Sequence, residues 1–425
     1  MLNDWLIFRV DKMEIKDIKL RVILDSRGKE TLAAEVSDSE GNKAEAMAPS
    51  GTSRSEYEAM PFPENNAKNA IDAFETYKSK LIGMEPSNQK GIDMLLHEID
   101  GTSNFSKIGG NASTAISVAV ARLAAIEAGM ELYQYIYENF TKNMGIEKKI
   151  PGLLGNAIGG GVHSNNKMSI QEVLLATKDG KVLENAKTNI AIHGSIGDYL
   201  KSKDLAVGLN IENAWNTKLD DVAAIELASA QAGSKSASTK LGLDCAASEF
   251  YNSNANTYLF EQSMSASSGK KELSRDTYLQ TIEQIAEKYN LAYLEDPMDS
   301  NDIDGFAEIN RKLGGKMLIV GDDLYATNKE RLAKGISKKA TNAILIKVNQ
   351  VGTLTDVFDT VELAHKNNIQ TIVSHRSGET TDPFMAHLGV AFGSAYIKCG
   401  ILGGERIAKI NELARIESIE KSRKS

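Results

Sequence analysis

Residues 318–328 read LIVGDDLYATN. A short apolar run stops abruptly at two acids, Asp322 and Asp323. Alone, this is what many strand ends look like, and Asp is also a common helix N-cap. The pattern recurs, however. From residue 240 onward the runs KLGLDC, LAYLED, MLIVGDD, AILIKVN, IQTIVSH and AYIKCG alternate with amphipathic stretches such as DTYLQTIEQIAEKY and TLTDVFDTVELAHKN. Apolar runs without a polar face belong to strands covered on both sides, and helices between them make parallel βα units. Each run ends in an ionisable residue: Asp244, Glu295, Asp322, Lys347, His375 and Lys398. Successive ends lie 23 to 28 residues apart, except for one interval of 51 that reads as close to two units. The rhythm predicts an α/β barrel, whose strand C-termini all reach one mouth, where active sites are built. An open doubly wound sheet has the same rhythm but does not gather six strand ends around one point.

The rest of the chain fits a second, smaller domain. At 425 residues the chain exceeds the size at which one core stops growing. Residues 14–50 read as strands joined by tight turns, with Gly28 and Gly41 supplying turn conformations. Residues 65–139 read as helices, and NASTAISVAVARLAAIEAG is small or apolar around most of its circumference, so it should be buried. Strands followed by helices are the α+β pattern. The expected division is an extension over residues 1–12, an α+β capping domain over 13–145 and the barrel over 146–425.

A net charge of −8 argues against a nucleic-acid partner. No run of 18 apolar residues predicts a membrane span. The start, MLNDWLIFRVDKM, is interrupted by charges and does not read as a secretory signal. Two cysteines in apolar contexts suit a reducing, cytoplasmic location.

The six strand ends define a chemistry. Three carboxylates in one cavity repel one another, and a hard divalent cation with oxygen ligands, Mg²⁺, resolves this. Two lysines beside a metal should have lowered pKa values, which suits a general base at neutral pH. A metal plus lysine can take a proton from carbon beside a carboxylate, the metal stabilising the ene-diolate. In SHRSGET, 374–380, Arg376 offers a fork of donors to phosphate or carboxylate. The segment is expected to open the next helix, so that Ser377 and helix-start N–H groups add to an anion site. The Gly-rich stretch 155–172 matches no dinucleotide or P-loop pattern; His163 and Glu172 flank its far end. APSGTSRSEYEA, 48–59, reads as a lid or a surface connection.

Together, ILDSRG, GGNA, LDCAASEFY, LEDP, VGDDLYATN, KVNQVGTL, SHRSGET and IKCG, in this order and spacing, resemble the enolase family over nearly the whole chain from Met13. The resemblance implies an enolase-type (β/α)8 barrel with irregular opening units and an N-terminal α+β cap. It implies a lyase that reversibly dehydrates 2-phosphoglycerate to phosphoenolpyruvate in glycolysis. By the same likeness Asp244, Glu295 and Asp322 match the Mg²⁺ ligands, and Ser53 matches the lid serine of a second Mg²⁺ site. Lys347 matches the base at C2. Lys398 matches the lysine that contacts substrate carboxylate and metal. Arg376 and Ser377 match the phosphate holders; His163, Glu172 and His375 match residues around the reacting hydroxyl and phosphate. A homodimer or larger homo-oligomer is also implied.

Two departures stand out. The lid reads SGTSRS, with Arg54 and Ser55 at its tip, where the family usually has SGASTG. The family's DEGG follows a Val-Gly pair, and its Glu is the acid that helps expel the C3 hydroxyl. Here the stretch is VGLNIENAWN, 207–216, and counting from Val207–Gly208 puts Asn210 in that place, with Glu212 two residues on. An amide is no proton donor of that kind, so three readings stand: a working or weakened enolase, a related enzyme acting on another carboxylate, or a non-catalytic relative used as a binding protein.

Overall fold

The computed structural model describes residues 13–52, 55–164, 168–261 and 270–423. The extension, residues 1–12, and the lid residues Ser53 and Arg54 lie outside the described residues. Three antiparallel strands open the chain: β1 (Ile15–Leu24), β2 (Glu30–Asp38) and β3 (Lys43–Met47). The β1–β2 turn closes because the Asp25 carboxylate accepts the N–H groups of Arg27 and Lys29, and Gly28 takes a positive φ of 70°. Four helices follow: Ala67–Glu75, Gln89–Asp100, Gly110–Glu127 and Leu132–Ile136. The third is buried almost all round, as its composition predicts, and packs on β2 and β3.

The second domain is a closed barrel. Its eight staves are β4 (Gly152–Gly159), β5 (Glu172–Thr177), β8 (Lys240–Asp244), β12 (Tyr293–Glu295), β13 (Leu318–Gly321), β14 (Ala343–Ile346), β15 (Gln370–Ser374) and β16 (Tyr396–Lys398), and β16 pairs back onto β4. β5 alone runs antiparallel to both neighbours. A hairpin, β6 (Ala206–Leu209) and β7 (Trp215–Thr217), adds to β4 outside the closed ring. The interval of 51 residues holds no further βα unit. It holds a small antiparallel sheet of β9 (Tyr251–Asn252), β10 (Thr257–Glu261) and β11 (Lys270–Ser274) before helix Arg275–Lys288.

The alternation along each stave sorts its side chains into two cores. Leu154, Leu174, Val320, Leu345, Ile372 and Tyr293 fill the barrel interior. Their neighbours Leu153, Val173, Ile319, Ile344 and Val373 pack outward in the helix-lined core. Both faces are dry, which is why these strands carry no polar alternation in sequence.

Cap and barrel are clamped by an ion pair whose carboxylate is buried and whose guanidinium is half-buried. Arg122, on the long buried helix, donates to both oxygens of Asp382, and the Met47 N–H donates to Asp382 Oδ2 at 2.9 Å. Breaking a buried pair on one side leaves the other charge uncompensated, costing roughly 3–5 kcal/mol. Asp382→Ala is therefore expected to lower stability by about 3 kcal/mol in guanidinium unfolding. Adding Arg122→Met should recover part of that loss; an unchanged midpoint in the single variant would contradict the clamp.

Candidate active site at the barrel mouth

The register of the staves sets the site. Glu295 lies beside Asp244 on adjacent parallel strands, and Ser374 beside Lys398. Glu172 joins them for a different reason. It begins β5, the one reversed strand, so its N-terminal end sits at the mouth where the others finish, directly opposite Asp244.

Lys398 is the hub. Its buried Nζ lies 2.7 Å from Asp244 Oδ2, 2.7 Å from Glu295 Oε2 and 3.1 Å from Glu172 Oε2. Burial works against the ammonium, but the three carboxylates outweigh it and hold its pKa well above the usual lysine value. The acids remain crowded. Burial and the charge of Asp244 push Glu295 up to about 8, against the pull of Lys398. Burial also raises Glu172 well above the carboxylate range, which favours a proton on it.

Asp322 stands slightly apart. It pairs with Lys347 through Oδ2, and its Oδ1 accepts Gln350 Nε2 at 3.0 Å. Burial opposes ionisation of Asp322, and Lys347 overcomes this, so its pKa is lowered. The expectation of a lowered pKa at Lys347 belongs to a metal-bound site. Without a cation there, burial and the neighbouring Arg376 and Lys398 lower it, Asp322 and Glu295 raise it, and the net direction is upward. Asp323, the second acid of the opening stretch, is pushed up to about 7 by burial and by Asp322. Asp296 holds that turn by accepting the N–H groups of Asp322 and Asp323 at 3.0 and 2.7 Å.

Among the described residues, three groups bring their potential ligand atoms within 4.8 Å of one another: Asp296–Asp322–Asp323, Glu172–Glu212–His375 and, away from the mouth, Glu131–His387–Glu412. The trio Asp244, Glu295 and Asp322 is divided instead, two of them on Lys398 and the third on Lys347. Asp244 and Asp322 still line one cleft with both lysines, and Glu295 lies behind it on Lys398. The donor set fits a hard cation. It is rich in carboxylate oxygen, and Glu295 Oε1 is buried without a hydrogen-bond partner.

The phosphate-type residues lie at the seam with the cap. Arg376 donates to Asn349 Oδ1 at 3.0 Å and to Glu58 Oε2 at 2.9 Å. Ser377 Oγ accepts the Thr52 N–H at 2.8 Å. Ser50 and Gly378 exchange two backbone hydrogen bonds, so Ser50, Thr52 and Glu58 of the cap rest directly on the site. Gly378 is required by this approach: a Cβ there would lie 2.2 Å from Asp25 Oδ2. The segment SHRSGET does not open a helix. Residues 375–383 form a loop held by Glu379 and Asp382, and the helix begins only at Phe384 (Phe384–Ala391), so no helix-start N–H groups reach Ser377.

Asn210 is engaged by its own turn. Its Oδ1 accepts the N–H groups of Glu212 and Ala214 at 2.9 and 3.0 Å, pinning the turn between β6 and β7. That turn delivers Glu212 into the cleft, 2 % exposed, where Oε2 accepts Asn156 Nδ2 at 3.0 Å and lies 3.6 Å from His375 Nε2. Glu172 hydrogen-bonds to Glu212. His163 ends the short turn Gly161–His163, but its side chain lies outside the described part of the structure. Asp296, Glu58 and Gln171 are cleft residues that sequence reasoning did not single out, and Asp323 was noted only as the second acid of the opening stretch. Of the three, Asp296, beside Glu295 in LEDP, carried a visible hint.

A closed α/β barrel, capped by an α+β domain and bearing lysines among carboxylates at its mouth, defines a class of metal-assisted acid–base enzymes. The comparisons narrow it. The family model described as the N-terminal domain of enolase matches residues 15–136, and that of the enolase C-terminal TIM barrel domain matches residues 147–423. The chain is 44% identical to the enolase of Picrophilus torridus over 412 residues, covering 95% of this chain and 98% of that one. It is 43% identical to the enolase of Thermoplasma acidophilum over 413 residues, 96% and 98% of the two chains. The enolase of Methanocorpusculum labreanum is 42% identical over 411 residues, 95% and 99%. The chain belongs to the enolase family.

Lys398→Met should leave three buried acids without their shared cation. With a chelator present, a loss on the order of 3 kcal/mol is expected near neutral pH. Without the ammonium, repulsion raises the folded-state pKa of Glu172 and Glu295 further above their unfolded values. Such groups favour folding at low pH, and that contribution is lost as pH rises. The gap between variant and parent melting temperatures should therefore widen as pH rises through about 8, where Glu295 loses its proton in the parent but keeps it in the variant. A constant gap would contradict the shared-cation reading.

Proposed function

We propose that the chain catalyses the reversible dehydration of 2-phosphoglycerate to phosphoenolpyruvate as a carbon–oxygen lyase of glycolysis. The observation that carries this reading is the cleft itself: Lys347 and Lys398 stand among Asp244, Glu295 and Asp322, with Glu172 and Glu212 hydrogen-bonded opposite.

Asp244, Glu295 and Asp322 would hold a divalent cation, Mg²⁺, and Ser53 of the lid would complete a second site. Bound there, the metal supplies positive charge to the substrate carboxylate as C2 loses its proton. Lys347 takes that proton, for which it must be neutral; its charged form is now held by the Asp322 ion pair, which would loosen were Asp322 to ligate a cation. Glu172, held protonated by burial, and its partner Glu212 supply the proton with which the C3 hydroxyl leaves as water. Arg376 and Ser377 grip the phosphate, with His163 and His375 at the reacting end and Lys398 on the carboxylate. The position of Glu212 removes the reason for preferring a different carboxylate or a non-catalytic role, because the cleft has its acid.

We further infer a boundary between cap and barrel at residues 145 and 146, supported by family models that end at 136 and resume at 147. A homodimer or larger homo-oligomer is supported by the exposed apolar side chains Val207, Leu209 and Ile211 on one hairpin. A cytoplasmic location is supported by the free buried thiols Cys245 and Cys399. Among the described residues no helix is long and apolar enough to cross a membrane.

A coupled absorbance assay should show phosphoenolpyruvate forming from 2-phosphoglycerate with Mg²⁺ and not with a chelator. Glu212→Gln is expected to lower kcat by about 10²–10⁴ while exchange of the C2 proton with solvent deuterium persists. Unchanged turnover in that variant would remove Glu212 from the mechanism.

A further inference from the structure

Among the described residues, Arg406 is the largest side chain that is fully buried, with 0 % exposure. It lies in the first turn of the last helix, Gly404–Ser422, on the outer side of the barrel mouth. A buried guanidinium demands partners. The nearest carboxylate, Glu405 Oε1, is 3.4 Å from Nε and makes no hydrogen bond to it. The two terminal nitrogens instead reach into the site loop. Nη1 donates to the carbonyl of Arg376 at 2.7 Å, and Nη2 to the carbonyl of Ser377 at 2.9 Å. Nη1 also lies 2.6 Å from His375 Nδ1.

That last contact determines the state of the imidazole. A guanidinium has donors and no acceptor, and it does not deprotonate in proteins. Nδ1 of His375 must therefore be the bare, accepting nitrogen. The Gly400 N–H points at the same atom at 3.3 Å, a second donor that excludes a hydrogen there. With Nδ1 bare, the hydrogen of the neutral ring is on Nε2, the atom that faces Glu212 across the cleft at 3.6 Å. Burial and the Arg406 charge both disfavour a second proton on the ring. Gly400 is part of the arrangement, since a Cβ there would lie 3.3 Å from Arg406 Cγ and 2.7 Å from the Glu212 carbonyl.

We propose that Arg406 is a positioning residue for the reaction, fixing His375 as the neutral tautomer with its hydrogen on Nε2. His375 then offers the substrate cleft a hydrogen-bond donor, suited to an oxyanion or hydroxyl oxygen, and cannot accept a proton there. The same guanidinium sets the backbone from which Arg376 and Ser377 project, so three site residues are registered to one helix. The catalytic part of this inference rests on the proposed dehydration; the tautomer does not.

The test uses the full chain with ¹⁵N-labelled histidine and long-range ¹H–¹⁵N correlation spectra. The chain has six histidines, and the His375 signals are those lost in His375→Asn. The parent should show a bare Nδ1 and a protonated Nε2 at neutral pH and under mild acidification. Arg406→Met should convert His375 to a mixture of tautomers or to imidazolium and lower kcat by about 10²-fold. Arg406→Lys, which keeps the charge but not the fork, should restore less than the full rate. A parent His375 protonated on Nδ1, or an Arg406→Met protein with the parental tautomer and rate, would overturn the inference. If Arg406→Met fails to fold, the parent spectrum and Arg406→Lys still decide it. The spectra are recorded without substrate. The expected tautomer in a parent without turnover would count against the proposed reaction alone, and turnover with the wrong tautomer would count against Arg406 alone.

Discussion

One ammonium among three carboxylates is the constraint on which the site depends. Lys398 meets Glu172, Asp244 and Glu295 on three neighbouring staves. Without a cation, those acids would not remain ionised together in so dry a place. The cluster is nonetheless short of positive charge, as the raised pKa values of Glu172 and Glu295 show. Asp296, just after β12, and Asp323, just after β13, add to the deficit. A mouth built this way suits a metal cation.

The cap is part of the site and not merely attached to it. Thr52 and Glu58 meet Ser377 and Arg376, Ser50 pairs with Gly378, and Asp382 receives Arg122. Arg406 approaches the same loop from the opposite side. The segment 375–383 is thus gripped from two directions. That explains how a stretch without helical hydrogen bonds holds an arginine and a serine in fixed places.

Much of this was legible because charged residues follow dry strands. Asp244, Glu295, Asp322, Lys347, His375 and Lys398 were visible as the ends of apolar runs, since an ion is tolerated there only where a strand leaves the core. Glu172 was visible only through resemblance, because β5 is reversed and its functional end comes first. The small sheet β9–β11 was misread as barrel rhythm because only its length was counted. SHRSGET looked like a helix start because turn-forming residues serve loops and caps alike. Glu212 lies two residues past the position that counting from Val207–Gly208 reaches, and only the turn held by the Asn210 side chain brings it to the cleft.

The amino-acid order by itself determined the barrel, the cap and the six ionisable strand ends, because burial periodicity and chain spacing are local properties written along the chain. Only the tertiary structure decided how those groups pair. It put Lys398 with Asp244 and Glu295, gave Asp322 to Lys347, brought Glu212 to His375 and set Arg406 behind it. The energies that choose among such pairings depend on distance and burial in three dimensions, and residues far apart in the chain carry no mark of which of them will meet.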